Sequence, residues 1–356
     1  MRIKFQYILF LFLFLFGCSV EVNDSNSGKT DRLINDFLNT KNLPGLSVSV
    51  MKEGEIVYSK GFGYADVDSK TLINPSKTKF RIGSFSKTLT ASALMILVEK
   101  EQIDLDKSIY SYTPEFPQKK WDFNLRMMTG HLSGIRHYKN DEMNITKNYD
   151  NIFDALEVFQ DDPLMHEPGT KYLYSTHAWT LISLAIERAA NIPFTQFMDS
   201  DVFSKLGMAN TFAEVKGLDI DNKVTYYRKN STGGYDVAKD VNNSWKWAGG
   251  GYISTTEDVL KFLNQHLNDD YLSENSLKAL MTSQTTDDGK KTGYGIGWRI
   301  RNGRNGDMLY GHTGGSIGGT TYAFMNKNKK TIVVITSNIG SANFGQLPLD
   351  IFDIYN

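Results

Sequence analysis

A serine and a lysine three residues apart at the start of a helix can act as a nucleophile and its base, and Ser84-Phe85-Ser86-Lys87 offers such a pair. Helical residues at that spacing share one face, with Cβ atoms about 5–6 Å apart. A serine hydroxyl is a weak nucleophile until a neighbouring base takes its proton, and a partly desolvated lysine is one of the few side chains that can be tuned to do so. Free backbone N–H groups at a helix N-terminus also stabilise the negative charge that develops there. The tetrapeptide occurs three times in the chain. Ser49 to Lys52 continues Leu46-Ser47-Val48-Ser49-Val50, whose alternation reads as a strand, so its ends point to opposite faces. Ser76 to Lys79 lies in a turn beside Pro75. Only Ser84 opens a helix-forming run, Leu89 to Val98; a capped amphipathic helix without chemistry is the plainer alternative.

The elements around this pair fall into two kinds. Helical spacing at Leu33, Ile34, Phe37 and Leu38 is followed by two strand-like runs, Leu46 to Met51 and Glu55 to Gly61, joined as a hairpin by Lys52-Glu53-Gly54. Between Gln102 and Ser283 strand signals are sparse, and helical patterns recur at 151–159, 178–189 and 257–267. Strand patterns return at 294–301, 308–312, 320–326 and 331–338, and a closing helix over 344–355 is interrupted by Pro348. Strands at both ends with helices between them predict an α+β fold. One antiparallel sheet is assembled from both chain ends and flanked by helices, with an inserted, mostly helical subdomain. The expected division is a lobe of 31–101 and 284–356 beside a helical lobe of 102–283, with a cleft between them.

At 356 residues with 40% hydrophobic side chains the chain can bury a large core, and a formal charge of −1 argues against a nucleic-acid partner. Arg2 and Lys4 precede the apolar run Tyr7 to Phe16, too short for a membrane span of about 20 residues, so 1–17 reads as an export signal. Leu15-Phe16-Gly17-Cys18 resembles the bacterial lipobox, which implies lipid on Cys18 and a place in the cell envelope held to a membrane through that lipid. Cys18 is the only cysteine, so no internal disulfide can form. Residues 18–30 read as a tether to a domain spanning 31–356.

Phe80 to Thr88 resembles the first motif of the serine beta-lactamase and penicillin-recognising family, in its class C, D-alanyl-D-alanine carboxypeptidase and esterase branch. Downstream, Tyr174-Ser175-Thr176 resembles the second motif, Tyr-x-Asn, with Thr176 in place of asparagine. Gly311-His312-Thr313-Gly314-Gly315 resembles the third, Lys-Thr-Gly, with His312 in place of lysine. Supporting stretches include Leu132 to Tyr138 and Ala248 to Thr255. The wording is nearest to the branch that includes mitochondrial beta-lactamase-like serine proteases.

The resemblance implies a serine hydrolase of the beta-lactamase and transpeptidase-like fold, working through an acyl-enzyme on Ser84 with amide or ester substrates and no cofactor. Lys87 and Tyr174 are then its acid–base pair, and the tyrosine needs a neighbouring cation, expected to be Lys87, to lower its pKa from about 10. Ser84 and Gly315 supply oxyanion N–H groups, while Thr176, His312, Thr313 and Gly314 bind substrate. Since His312, partly protonated near pH 7, replaces a fixed cation, and Thr176 replaces an amide, weak action on beta-lactams is expected beside peptidase-like or esterase-like activity. A true beta-lactamase or carboxypeptidase, and a catalytically idle binding or sensor protein, are the alternatives.

His131, His137, His166 and His177 show no metal-ligand spacing and read as structural. Trp245 and Trp247 fit either a cleft wall or a core. Gly314-Gly315-Ser316-Ile317-Gly318 matches the G-x-S-x-G nucleophile elbow, but no histidine follows His312, so that reading fails on order.

Overall fold

The computed structural model describes residues 25–356. The expected export signal, Cys18 and the first part of the expected tether lie outside the described residues. Strands β1 (Gly45–Lys52), β2 (Glu55–Asp66), β3 (Thr71–Leu72) and β4 (Phe80–Arg81) precede Ser84. After it come β5 (Phe212–Ala213), β6 (Tyr227–Lys229), β7 (Tyr235–Val237) and β8 (Tyr252–Ser254), then β9 (Arg299–Asn302), β10 (Met308–Ser316), β11 (Gly319–Asn326) and β12 (Thr331–Ser337). The main sheet has seven strands in the order β3-β2-β1-β12-β11-β10-β9, antiparallel throughout. Its centre joins the two chain ends, Val48 opposite Ile335. A smaller sheet, β4-β8-β5, lies beside the nucleophile turn.

Helix α1 (Asn26–Lys41) leads into the sheet and α2 (Ser86–Glu99) carries Lys87. Helices α3 (Leu125–Thr129), α4 (Ile152–Ala155), α5 (His177–Ala190), α6 (Phe194–Phe197), α7 (Trp247–Gly250), α8 (Thr256–Gln265) and α9 (Glu274–Met281) follow, and α10 (Leu347–Tyr355) closes the chain.

Strand β12 explains why the sheet is covered on both faces. Its side chains alternate, and Val333 and Ile335 pack with Ile34 of α1 and Ile351 and Phe352 of α10. Ile332 and Val334 instead join Leu89 of α2 and Val259 and Phe262 of α8. All of these are buried, and each such side chain stabilises by about 1.5–3 kcal/mol. Strand β1 meets α8 through hydroxyls: Ser47 and Ser49 lie 2.8 and 2.7 Å from Thr256 Oγ1. Ser49 is therefore a buried structural serine.

Three boundaries differ from the sequence expectation. Helix α1 starts at Asn26 rather than Asp31, because Ser25 Oγ accepts from the Gly28 N–H at 3.2 Å and Thr30 is buried against Tyr355 Oη at 3.2 Å. Pro348 does not interrupt the last helix; it sits in the first turn of α10, where its missing N–H costs nothing. The strand expected over 294–301 is confined to β9, because Gly293 and Gly297 both adopt positive φ.

Candidate active site

Ser84 sits in a single 3-10 turn, Gly83–Phe85, that runs directly into α2 and puts Lys87 in its first turn. The turn is clamped from two sides. The Ile82 N–H donates to Tyr252 O at 3.1 Å, and the Tyr252 N–H donates to Ser86 Oγ at 3.3 Å, tying the Ala248-Gly249-Gly250-Gly251 segment to the nucleophile. On the other side β10 approaches so closely that a Cβ on Gly314 would lie 1.9 Å from Ile82 O. Gly315, next along, meets nothing within 4 Å at its Cβ position and faces the cleft.

Lys87 is fully buried. Its Nζ lies 3.1 Å from Ser84 Oγ, 3.0 Å from Thr176 Oγ1 and 2.5 Å from Gly249 O. Burial, then repulsion from Lys246 and Arg299, holds its pKa well below the ordinary lysine value. An uncharged amine has two N–H donors, which match Gly249 O and Thr176 Oγ1, and one lone pair, which matches the Ser84 hydroxyl. The arrangement can take a proton from Ser84.

Tyr174 lies in an irregular stretch before α5, also hydrogen-bonded to Ser84. Its backbone neighbours are fixed by the histidines of the Leu132 to Tyr138 region and just before it: the Ser175 N–H donates to His131 Nδ1 at 3.1 Å and the Thr176 N–H to His137 Nδ1 at 3.2 Å. Ser175 Oγ donates to Arg136 O at 2.7 Å and accepts from the Ala178 N–H at 3.1 Å. Burial pushes Tyr174 up to about 12, against the opposing pull of its hydrogen bond to Ser84 and of Arg299. The expectation that Lys87 is the cation acting on Tyr174 is therefore corrected. Lys87 Nζ does lie 5.0 Å from the ring centre, but its buried amine favours the neutral form, and Arg299 supplies the charge.

His312 also departs from expectation. It is fully buried, donating from Nδ1 to Thr313 O at 2.5 Å and accepting at Nε2 from Tyr294 Oη at 2.8 Å. Burial, Arg299 and Lys87 keep its pKa well below the usual histidine range, so it is neutral near pH 7 rather than partly protonated. Thr176 lines the cleft, but its hydroxyl contacts Lys87. Thr313 lines the cleft as well. Ser316 ends β10 at the tight turn into β11, which rules out the strand-to-helix geometry of a nucleophile elbow. Neither Trp245 nor Trp247 lines the cleft; Trp245 packs with Tyr138 and His177, and Trp247 Nε1 donates to Glu214 O at 3.0 Å.

The cleft has a volume of about 680 Å³ and gathers Ser84, Tyr174, Thr176, His312, Thr313 and Gly315. The Beta-lactamase family model matches residues 30–352. The chain belongs to the beta-lactamase family. The human serine beta-lactamase-like protein LACTB, mitochondrial, is 31% identical over 293 residues, covering 63% of this chain and 53% of the human protein. Protein flp of Staphylococcus aureus (strain N315) is 25% identical over 329 residues, covering 90% of this chain and 64% of flp. This chain thus spans about half to two thirds of the length of these relatives. The octameric penicillin-binding protein homologue from Pyrococcus abyssi shares the fold with a TM-score of 0.79 at 23% identity, over 92% of this chain and 76% of that one.

Four cations line this beta-lactamase-family cleft without having been singled out in the sequence: Arg228 and Lys239, which are exposed, and Lys246 and Arg299, which are not. Arg299 projects from β9 with its guanidinium carbon 5.3 Å from the ring centre of Tyr174 and 5.8 Å from that of Tyr294, and its buried Nε has no partner. Lys246 lines the cleft from the segment before α7. Arg299 follows an aromatic-rich stretch with no motif of its own, and Lys246 lies between two tryptophans that read equally well as core. Only the tertiary arrangement brings either beside Ser84.

Proposed function

We propose that the protein is a serine hydrolase that forms an acyl-enzyme on Ser84 with amide or ester substrates. The observation that carries this reading is the fully buried Lys87 amine held 3.1 Å from the Oγ of Ser84, which lines an open cleft. Lys87 takes the hydroxyl proton as Ser84 Oγ attacks the carbonyl carbon, and the N–H groups of Ser84 and Gly315 hold the oxyanion. Tyr174, pushed up to about 12 and so protonated at rest, gives its proton to the leaving group; its phenolate then takes a proton from the attacking water, and Lys87 returns its proton to Ser84 Oγ as the acyl group leaves, which restores all three side chains.

Recognition of a substrate carboxylate falls to Arg299 rather than His312, because arginine stays charged while His312 is buried and neutral. Thr176 brings a short hydroxyl, already engaged by Lys87, where an amide would reach a penicillin side chain. Both points favour peptidase-like or esterase-like turnover with weak action on beta-lactams. Fluorophosphonate labelling tests the reading: Ser84→Ala is expected to abolish the adduct, while Ser49→Ala, Ser76→Ala and Ser316→Ala keep it. An unlabelled wild-type protein would favour the idle binding protein, and cephalosporin turnover with kcat/KM near 10⁴–10⁸ M⁻¹s⁻¹ would make it a true beta-lactamase.

A further inference from the structure

Lys246 is 3% exposed, yet its ammonium has no carboxylate or hydrogen-bond acceptor among the described residues. Its Nζ lies 5.0 Å from the ring centre of Trp245 and 5.4 Å from that of Tyr138. Of the charged groups that act on it, Arg81 and Glu214 are already paired with each other at 2.6 Å, so Glu214 is committed elsewhere. Burial and Arg81, opposed by Glu214, bring Lys246 down to about 8. An unpaired buried cation is costly to maintain, and one that borders an open cleft is a site where a bound ligand can supply the missing charge.

Arg299 and Lys246 line the same cleft and rest over different rings. Arg299 stacks on Tyr174 and Tyr294, whereas Lys246 stacks on Tyr138 and Trp245. Each lowers Lys87, so each is within electrostatic reach of the nucleophile. In the acyl-enzyme reading Tyr174 serves the leaving group, which puts Arg299 with the leaving half of the substrate. Lys246, which lies over Tyr138 and Trp245 rather than over Tyr174, is then assigned to the acyl half.

We propose that Lys246 is a specificity-determining residue that binds a second carboxylate, carried on the acyl half of a doubly acidic substrate. The proposal rests on the acyl-enzyme reading for its assignment of halves. Its ligand chemistry is a carboxylate two or more bonds from the reacting carbonyl, which either a dicarboxylic acyl group or the side chain of an acidic residue in a peptide can supply.

Two paired substrates separate those sources: the mono-p-nitrophenyl ester of glutaric acid against the ester of its monoamide, and an N-acetyl-glutamyl p-nitroanilide against the glutaminyl one. The readout is the charged-to-neutral ratio of kcat/KM within each protein, so any change in Lys87 basicity cancels. The wild type is expected to prefer the charged member of at least one pair. Lys246→Gln is expected to reduce that preference about 10-fold to 100-fold, mainly through KM, the range for a hydrogen bond to a charged group. Lys246→Arg is expected to keep most of it. An equal preference in Lys246→Gln and wild type for both pairs would overturn the proposal.

A second measurement needs no turnover. Calorimetric binding of N-glutaryl-glycine to Ser84→Ala is expected to weaken at least 10-fold when Lys246→Gln is added, while N-butyryl-glycine binds the two proteins alike. A wild-type protein that fluorophosphonate fails to label, with this binding difference intact, would sink the acyl-enzyme reading and leave the carboxylate subsite standing. The absence of any binding difference would sink the subsite alone.

Discussion

Ser84 and Lys87 show how burial makes a base out of a side chain that is charged in water. The amine is fully enclosed, repelled by two cations and held by three oxygen atoms of Ser84, Thr176 and Gly249. Guanidinium cannot give up its proton at any ordinary pH, so Lys87→Arg is expected to slow acylation by about 10²–10⁴, nearly as much as Lys87→Ala. Stopped-flow acylation by an activated ester measures this, and near-normal rates in Lys87→Arg would remove lysine from the mechanism. Arg299 offers a test of sign. It lowers both Lys87 and Tyr174, so Arg299→Gln should let both pKa values rise. The pH–rate profile for a neutral ester should then shift upward on its acid limb, where Lys87 must lose its proton, and on its alkaline limb, where Tyr174 must keep one. For substrates with a free carboxylate KM should rise as well. An unmoved acid limb would show that Arg299 does not act on Lys87.

At the scale of elements, the site exists where β4, β8, β10 and α2 converge on one turn. The buried Arg81–Glu214 pair fastens this junction: Arg81 Nε donates to Glu214 at 2.6 Å and Nη1 to Ile317 O at 2.7 Å, while Asn243 Nδ2 donates to the same carboxylate at 2.6 Å. With side chains only 4% and 5% exposed, removing one partner leaves a buried charge without its counter-ion. Arg81→Met is expected to cost about 3–5 kcal/mol, and Arg81→Met with Glu214→Met much less. Urea unfolding of the two single variants and the double variant decides this; a double-variant loss equal to the sum of the two single losses would mean that the pair does not act as a unit.

The whole molecule depends on strands from opposite ends of the sequence, since β1 pairs with β12 along its full length and α1 packs with α10. Helix α1 follows closely after Cys18, so a lipid on that cysteine would hold the sheet face covered by α1 and α10 near a membrane. We expect Cys18→Ser to move the protein from the membrane fraction to the soluble one, as loss of two or more acyl chains removes a stable anchor. A wild-type protein that is soluble and unmodified by intact mass would contradict this. The order of elements was legible in the sequence because hydrophobic period reports helix and strand locally. Likewise, Ser84 and Lys87 were legible because their spacing falls at the start of a helix-forming run, which puts them on one face. Ser49 and Ser76 could be set aside because the same spacing falls there in a strand and in a turn, and Ser316 because no histidine follows His312. What the sequence could not carry was charge state and partnership across the fold. His312 reads as a titrating cation until its burial against Tyr294 is seen. Arg299 and Lys246 carry no motif in the sequence, and only the folded chain brings both into the cleft that Ser84 lines. Pairing, desolvation and electrostatic field are properties of distance in space, so only the tertiary structure decided which groups in this cleft are charged and which substrate charges they can meet.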